Sequence, residues 1–180
     1  AGLFAPVEAS TLSQVPAAYL PSSRHWAGWA ARSTVLAYNP AKVSGSALPV
    51  SILDLAQPQW KGRVGIAAGG ADFQAIVSAV LSLVGKDKTQ AWLAALKTNA
   101  KVYQSNTAIM KAVNAGQIDT GVLYHYYWAK DRAESGANSK DVELHYFGNK
   151  DPGAFLSVSG AGVLATSKHA DAAQKFVAFL

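Results

Sequence analysis

Short apolar or β-branched runs alternate with segments of helical apolar spacing along almost the whole chain, and this alternation restricts the fold more than any other feature. The strand-like runs cover 33–38, 62–67, 101–103, 118–123, 142–147 and 158–164. Between them the spacing predicts helices over 71–84, 88–97, 106–113 and 124–134, and a last one from 167. The first carries Phe73, Ile76, Val77, Val80 and Leu81 on one face. Asp87 is the expected cap of the second, Ser105 or Asn106 that of the third, and Gly116 closes the third. Residues 1–24, with Pro6, Pro16 and Pro21, read as loop with a short helical piece near 10–14, and 51–55 forms at most a short helix. Strands that alternate with helices predict an α/β fold, a mostly parallel sheet flanked by helices.

Half of the 180 residues are apolar, enough for a true core. The net charge is +5, but the sixteen Lys and Arg are scattered and form no Arg-rich stripe, so a solvated basic surface is expected and no nucleic-acid partner. With no cysteine, disulfides, thiolate metal sites and a cysteine nucleophile are excluded, and any metal must be held by oxygen or imidazole nitrogen, a donor set suited to hard cations. No apolar run reaches the roughly 18 residues of a membrane span. No signal segment opens the chain, and the last residues, 175–180, stop inside a helical pattern without a cap, which predicts a fragment of a longer protein.

No Walker loop, HExxH or Gly-x-Ser-x-Gly elbow occurs, and Ser159, among small residues in Val158-Ser-Gly-Ala-Gly162, reads as tight strand rather than nucleophile. Three strand-to-helix junctions stand out instead: Ala67-Ala-Gly-Gly-Ala-Asp-Phe73, Gln104-Ser-Asn-Thr107 and Tyr124-His-Tyr-Tyr127. In a parallel sheet such junctions lie at the carboxyl ends of strands, and each opens a helix whose first N–H groups lack intrahelical partners. Gly70, Ala71 and Asn106 are therefore candidate anion-binding positions, although a tight turn and a cap would account for them as well.

Tyr126 and Tyr127 are adjacent. A phenol of pKa about 10 does not ionise unaided at neutral pH, but a trivalent cation such as Fe³⁺ can drive the proton off. Successive residues of a regular helix diverge by about 100°, so the two rings can reach one point only in a first turn. Trp128 would then pack inward. His125 is a further candidate ligand, with a surface or capping role as the alternative, and simple aromatic packing remains open for the pair.

Several segments together resemble the ferric-iron-binding substrate-binding proteins of ABC transporters, members of the type II periplasmic-binding-protein superfamily. They are Trp26-Ala-Gly-Trp-Ala-Ala-Arg-Ser-Thr-Val-Leu-Ala-Tyr-Asn-Pro40, Leu53-Asp-Leu-Ala-Gln-Pro-Gln-Trp-Lys-Gly-Arg-Val-Gly65, Asn106 in its junction, His125-Tyr-Tyr-Trp128, Asp151-Pro-Gly153 and Val158-Ser-Gly-Ala-Gly-Val163. The resemblance implies one lobe of a two-lobed fold: 1–37 as flanking segment and crossing strand of the first lobe, 38–155 as the second lobe, and 156–180 as the return crossing. It implies Tyr126 and Tyr127 as ligands of Fe³⁺, the transported ligand, with phosphate or carbonate as synergistic anion near Gly70, Ala71, Asn106 and Tyr124. Gly70-Ala71 stands where the family often has Ser-Gly, and Tyr124 where an Asn often precedes the tyrosines. Arg32 could lie near the anion. The implied partner is an ABC permease, and the implied location is periplasmic or extracellular, lipoprotein-anchored in a Gram-positive host. A lobe separated from its partner is expected to dimerise through exposed apolar surface. The alternatives are a binding protein of the same fold for a polyamine, thiamine or a phosphonate and, with no acid–base pair visible, an α/β hydrolytic enzyme.

Overall fold

The alternation of patterns becomes a six-stranded sheet with helices on both faces. The computed structural model describes residues 2–148 and 150–180. In chain order the elements are β1 (Phe4–Ala5), α1 (Ala9–Leu12), β2 (Ala27–Tyr38), β3 (Val64–Ile66), α2 (Ala71–Val84), α3 (Lys86–Asn99), β4 (Ala100–Val102), α4 (Asn106–Asn114), β5 (Thr120–Tyr124), α5 (His125–Glu134), β6 (Glu143–His145), β7 (Leu156–Ala161), β8 (Val163–Leu164) and α6 (Ala170–Phe179). Short 3₁₀ turns, among them Ile52–Ala56 and Pro58–Trp60, fill the long connection from β2 to β3.

The chain divides into two compact units, 32–156 and a smaller one made of 1–31 with 157–180. The strand order is β4-β3-β5-β2-β6, with β7 also paired to β2. The α/β class holds, and the sheet is mixed. β3 runs parallel to β4 and β5, because helical crossovers join these strands, whereas β2 runs antiparallel to β5 and β6. Since β4, β3 and β5 are neighbours and parallel, their three carboxyl ends share one edge of the sheet.

Side-chain alternation separates two cores within 32–156. Leu36, Val64, Ile66, Val122 and Tyr124 face α2, α3 and the 3₁₀ turns, together with Trp60, Phe73, Ile76 and Trp92. Val35, Ala37 and Leu123 face the other way, onto Ile109, Met110 and Val113 of α4. Two of the buried polar side chains on the first face are paired, whereas the Trp60 indole N–H has no partner among the described residues. The Trp92 Nε1–H donates to the Ile52 carbonyl at 3.0 Å, and the Asn99 amide donates to the carbonyls of Leu55 and Gln57. The Ser51 side chain and Asp54 close a capping box at the start of the Ile52–Ala56 turn. The smaller unit holds a core of its own, Val7, Leu12, Ala27, Val163 and Val177.

Several boundaries differ from the sequence expectation. β2 starts at Ala27, not at 33, because pairing to β7 extends a strand whose first residues lack β-branched character. The expected run 158–164 is two strands, interrupted at Gly162, where a Cβ would stand 2.8 Å from the His25 carbonyl oxygen. α3 begins at Lys86, with Gly85 at φ 82° as the joint, so Asp87 lies in the first turn rather than at the cap. α6 begins at Ala170 rather than 167. No helix of the described residues is long and apolar enough to cross a membrane.

Candidate metal centre

The three junctions singled out in the sequence follow β3, β4 and β5, whose carboxyl ends lie side by side. Each positions its side chains by a different local device. After β3, Gly70 caps α2 in extended conformation and Ala71 and Asp72 form its first turn. After β4, the Ser105 hydroxyl accepts the Ala108 N–H at 3.2 Å and starts α4 at Asn106. After β5 there is no loop at all. Tyr124 ends the strand and caps α5, so His125, Tyr126 and Tyr127 occupy the first turn.

That placement satisfies the geometric condition set by two adjacent tyrosines. Their rings stack with centroids 4.2 Å apart and an interplanar angle of 29°. Both are half-buried. Trp128 turns toward the α4-side core and its indole N–H donates to the Val142 carbonyl at 2.8 Å.

The sequence reading missed the residue on which this site converges, Asp72. Its Oδ2 accepts hydrogen bonds from the Tyr127 hydroxyl at 3.0 Å and from the Asn106 amide at 2.8 Å. Its backbone carbonyl accepts a long bond from the Tyr124 hydroxyl at 3.4 Å. Asp72 was visible as an acidic residue just inside a helix N-terminus, a position that reads as a favourable dipole contact rather than as a ligand. Only the fold brings it to tyrosines more than fifty residues away.

The remaining candidates divide. Tyr124 is fully buried and tilted against Tyr126, with ring centroids 6.5 Å apart. Arg32 holds its guanidinium carbon 5.8 Å from the centre of the Tyr126 ring. His125 points elsewhere, since its Nδ1 accepts the Ser33 backbone N–H at 3.0 Å. That bond ties the start of α5 to β2 and leaves Nε2 as the protonated nitrogen of the neutral ring. Gly70 uses its own N–H on the Ala67 carbonyl at 2.9 Å, so among Gly70 and Ala71 only the latter offers a first-turn N–H.

Burial raises the Tyr126 phenol well above its usual pKa, reinforced by its hydrogen bond and charge interaction with Tyr127 and by the Asp72 carboxylate, while Arg32 opposes the rise. The Tyr126 phenol is therefore protonated at neutral pH. The phenol oxygens of Tyr126 and Tyr127 and the Asp72 carboxylate are the oxygen donors gathered at these junctions.

An α/β unit that gathers phenols, a carboxylate and helix N-termini at the ends of adjacent parallel strands is built to bind a ligand. The profile of the family described as bacterial extracellular solute-binding protein matches residues 1–180, and the chain belongs to that family. It is 57% identical over its whole length to the Fe(3+)-binding periplasmic protein of Serratia marcescens, of which it covers 53%. Iron-bound HitA from Pseudomonas aeruginosa superposes with a TM-score of 0.92 at 43% identity, over 99% of this chain and 57% of that one. The Trichodesmium protein IdiA (FutA), solved with iron and citrate ligands, gives a TM-score of 0.87 at 28% identity over 99% of this chain and 58% of that one. The fold is thus of the periplasmic-binding-protein kind, and the family is one of binding proteins for transport rather than of enzymes. The chain spans about half the length of the relatives it matches.

Proposed function

We propose that this chain is part of an extracytoplasmic ferric-iron-binding protein that serves an ABC importer, and that Tyr126 and Tyr127 ligate Fe³⁺ as phenolates. The observation that carries the reading is the stacked tyrosine pair in the first turn of α5 with Tyr127 hydrogen-bonded to the Asp72 carboxylate. Hard oxygen donors prefer a hard trivalent ion, and two phenolates with one carboxylate neutralise it. The names of the relatives, an Fe(3+)-binding periplasmic protein and iron-bound HitA, agree with this ligand.

Asp72 also bears on the anion. A phosphate or carbonate could still take the first-turn N–H groups of α2 and α4 beside Arg32. The built-in carboxylate supplies the negative charge such an anion would bring, so iron binding is expected without one. Asn106 and Tyr124 serve by holding Asp72 in place, through its carboxylate and its backbone carbonyl. The partner is a membrane permease that accepts the ion, and the location is periplasmic or extracellular.

The test is the iron content of the chain after exposure to ferric nitrilotriacetate in buffer free of phosphate and carbonate, followed by gel filtration. Retention of iron by the wild type, with loss in Asp72→Asn, supports the reading. Retention only when phosphate or carbonate is added contradicts the role given to Asp72, and retention unaltered by Tyr126→Phe with Tyr127→Phe contradicts the ligand assignment.

A further inference from the structure

We infer that His125 is a positioning residue: its ring continues the β5 ladder where the strand runs out, and thereby holds Tyr126 and Tyr127 against the segment that carries Arg32. Its effect on iron rests on the function proposed above, and its effect on the arrangement of the tyrosine rings does not.

The register of the sheet shows what the ring replaces. β2 and β5 are antiparallel, with Tyr38 opposite Thr120 and Thr34 opposite Tyr124. One step further, the same register sets Ser33 opposite His125. Facing residues of such a ladder alternate between pairs that exchange hydrogen bonds and pairs that do not. The Thr34 N–H goes to the Phe155 carbonyl, so Ser33 and His125 are the next bonding pair. By then β5 has become α5, and the His125 carbonyl runs along the helix axis. The His125 Nδ1 fills the gap and accepts the Ser33 N–H at 3.0 Å. Without it the N–H of half-buried Ser33 loses its acceptor.

α5 has few other constraints at this end. It starts without a side-chain cap, and none of its residues is fully buried. Helix ends fray, and both tyrosines sit in this first turn, stacked with ring centroids 4.2 Å apart.

The bond also joins two pairs of adjacent residues, Arg32-Ser33 and His125-Tyr126. The Arg32 guanidinium carbon lies 5.8 Å from the centre of the Tyr126 ring. One hydrogen bond, a single residue away from each, thus fixes the cation relative to the phenol.

The experiment compares His125→Ala, His125→Asn and His125→Gln with the wild type in the full 180-residue chain. The Asn side-chain oxygen is as many bonds from Cα as Nδ1, and that of Gln as many as Nε2. Asn therefore keeps the ladder acceptor, and Gln keeps only the reach of the outer nitrogen. Two quantities are measured: nuclear Overhauser contacts between the two tyrosine rings and from Tyr126 to Arg32 in the iron-free protein, and iron affinity by competition with nitrilotriacetate. In the expected result, His125→Ala and His125→Gln weaken the ring contacts and lower iron affinity by about tenfold. His125→Asn restores both. Should His125→Ala not fold, Asn against Gln decides alone. Ring contacts unaltered in the Ala and Gln variants overturn the inference. So does an Asn variant as impaired as the Gln variant, which would assign the effect to ring packing or to Nε2. Weakened contacts with unaltered iron affinity overturn the effect on iron. Should the contacts follow the expected pattern while the wild type takes up no iron, the positioning role stands and the ferric reading falls.

Discussion

The Tyr127 hydroxyl donates to the Asp72 carboxylate at 3.0 Å, and the Asn106 amide donates to the same oxygen at 2.8 Å. One carboxylate thus joins the first turns of three helices, each following a different strand of the parallel part of the sheet. Asp72→Asn keeps an acceptor for Tyr127 and removes the charge. Iron affinity is expected to fall by at least about tenfold, since a hydrogen bond or contact to a charged group contributes about 1.5–3 kcal/mol. The melting temperature without iron should move little. Competition titration against nitrilotriacetate, with a thermal melt of the apoprotein, checks both.

On the proposed ligand assignment, protons compete with the metal for the phenols. Because burial raises the Tyr126 pKa above its usual value near 10, the phenol is neutral throughout the neutral range and each phenolate formed releases one proton. Affinity is therefore expected to rise with pH, by about tenfold per pH unit for each proton released, and to weaken as pH falls. Iron-binding isotherms between pH 6 and 8 measure the slope. A flat profile would mean that no phenol ionises on binding.

Asp131 anchors the other end of α5. Its carboxylate accepts the Ser139 hydroxyl, the Asn138 amide and the Asn138 N–H, and these bonds hold its pKa below the ordinary 3.8. A depressed folded-state pKa contributes stability above the unfolded value, and this is lost as pH falls through the lowered folded value. Asp131→Ala is expected to lower the denaturation midpoint at pH 7, with the difference from wild type shrinking below about pH 4. Urea unfolding at pH 7 and pH 3 makes the comparison.

Gly121 in β5 has no room for a side chain, because a Cβ there would collide with the Ile109 side chain of α4. Gly121→Ala is expected to cost about 1–3 kcal/mol by overpacking. It should also weaken iron binding, since α4 carries Asn106. Ile109→Ala removes the colliding Cγ2 methyl, so the cost of Gly121→Ala should be smaller in the Ile109→Ala background than in the wild type, as read by urea midpoints.

Much of this was legible in the chain. The helices carrying Phe73 to Val84 and Asn106 to Val113 follow from apolar spacing and caps, which are local properties. The direction of β2 was not, because nothing in 33–38 states whether its neighbours run with or against it, and the mixed sheet follows from pairings to β5 and β6 more than eighty residues away. Gly85 and Gly162 moved element ends through backbone conformation and close approach that composition does not show. At the site, the tyrosine pair was readable because its members are adjacent. Asp72 was not, because its meaning depends on contacts across the sheet to Asn106 and Tyr127.

The most direct test of the account is a visible-absorbance titration of the chain with ferric nitrilotriacetate, run beside the Tyr126→Phe, Tyr127→Phe double variant. The expected result is a phenolate-to-iron charge-transfer band that saturates at one equivalent in the wild type and is absent from the double variant. A band of equal intensity in both proteins would contradict the claim that these two tyrosines hold the metal.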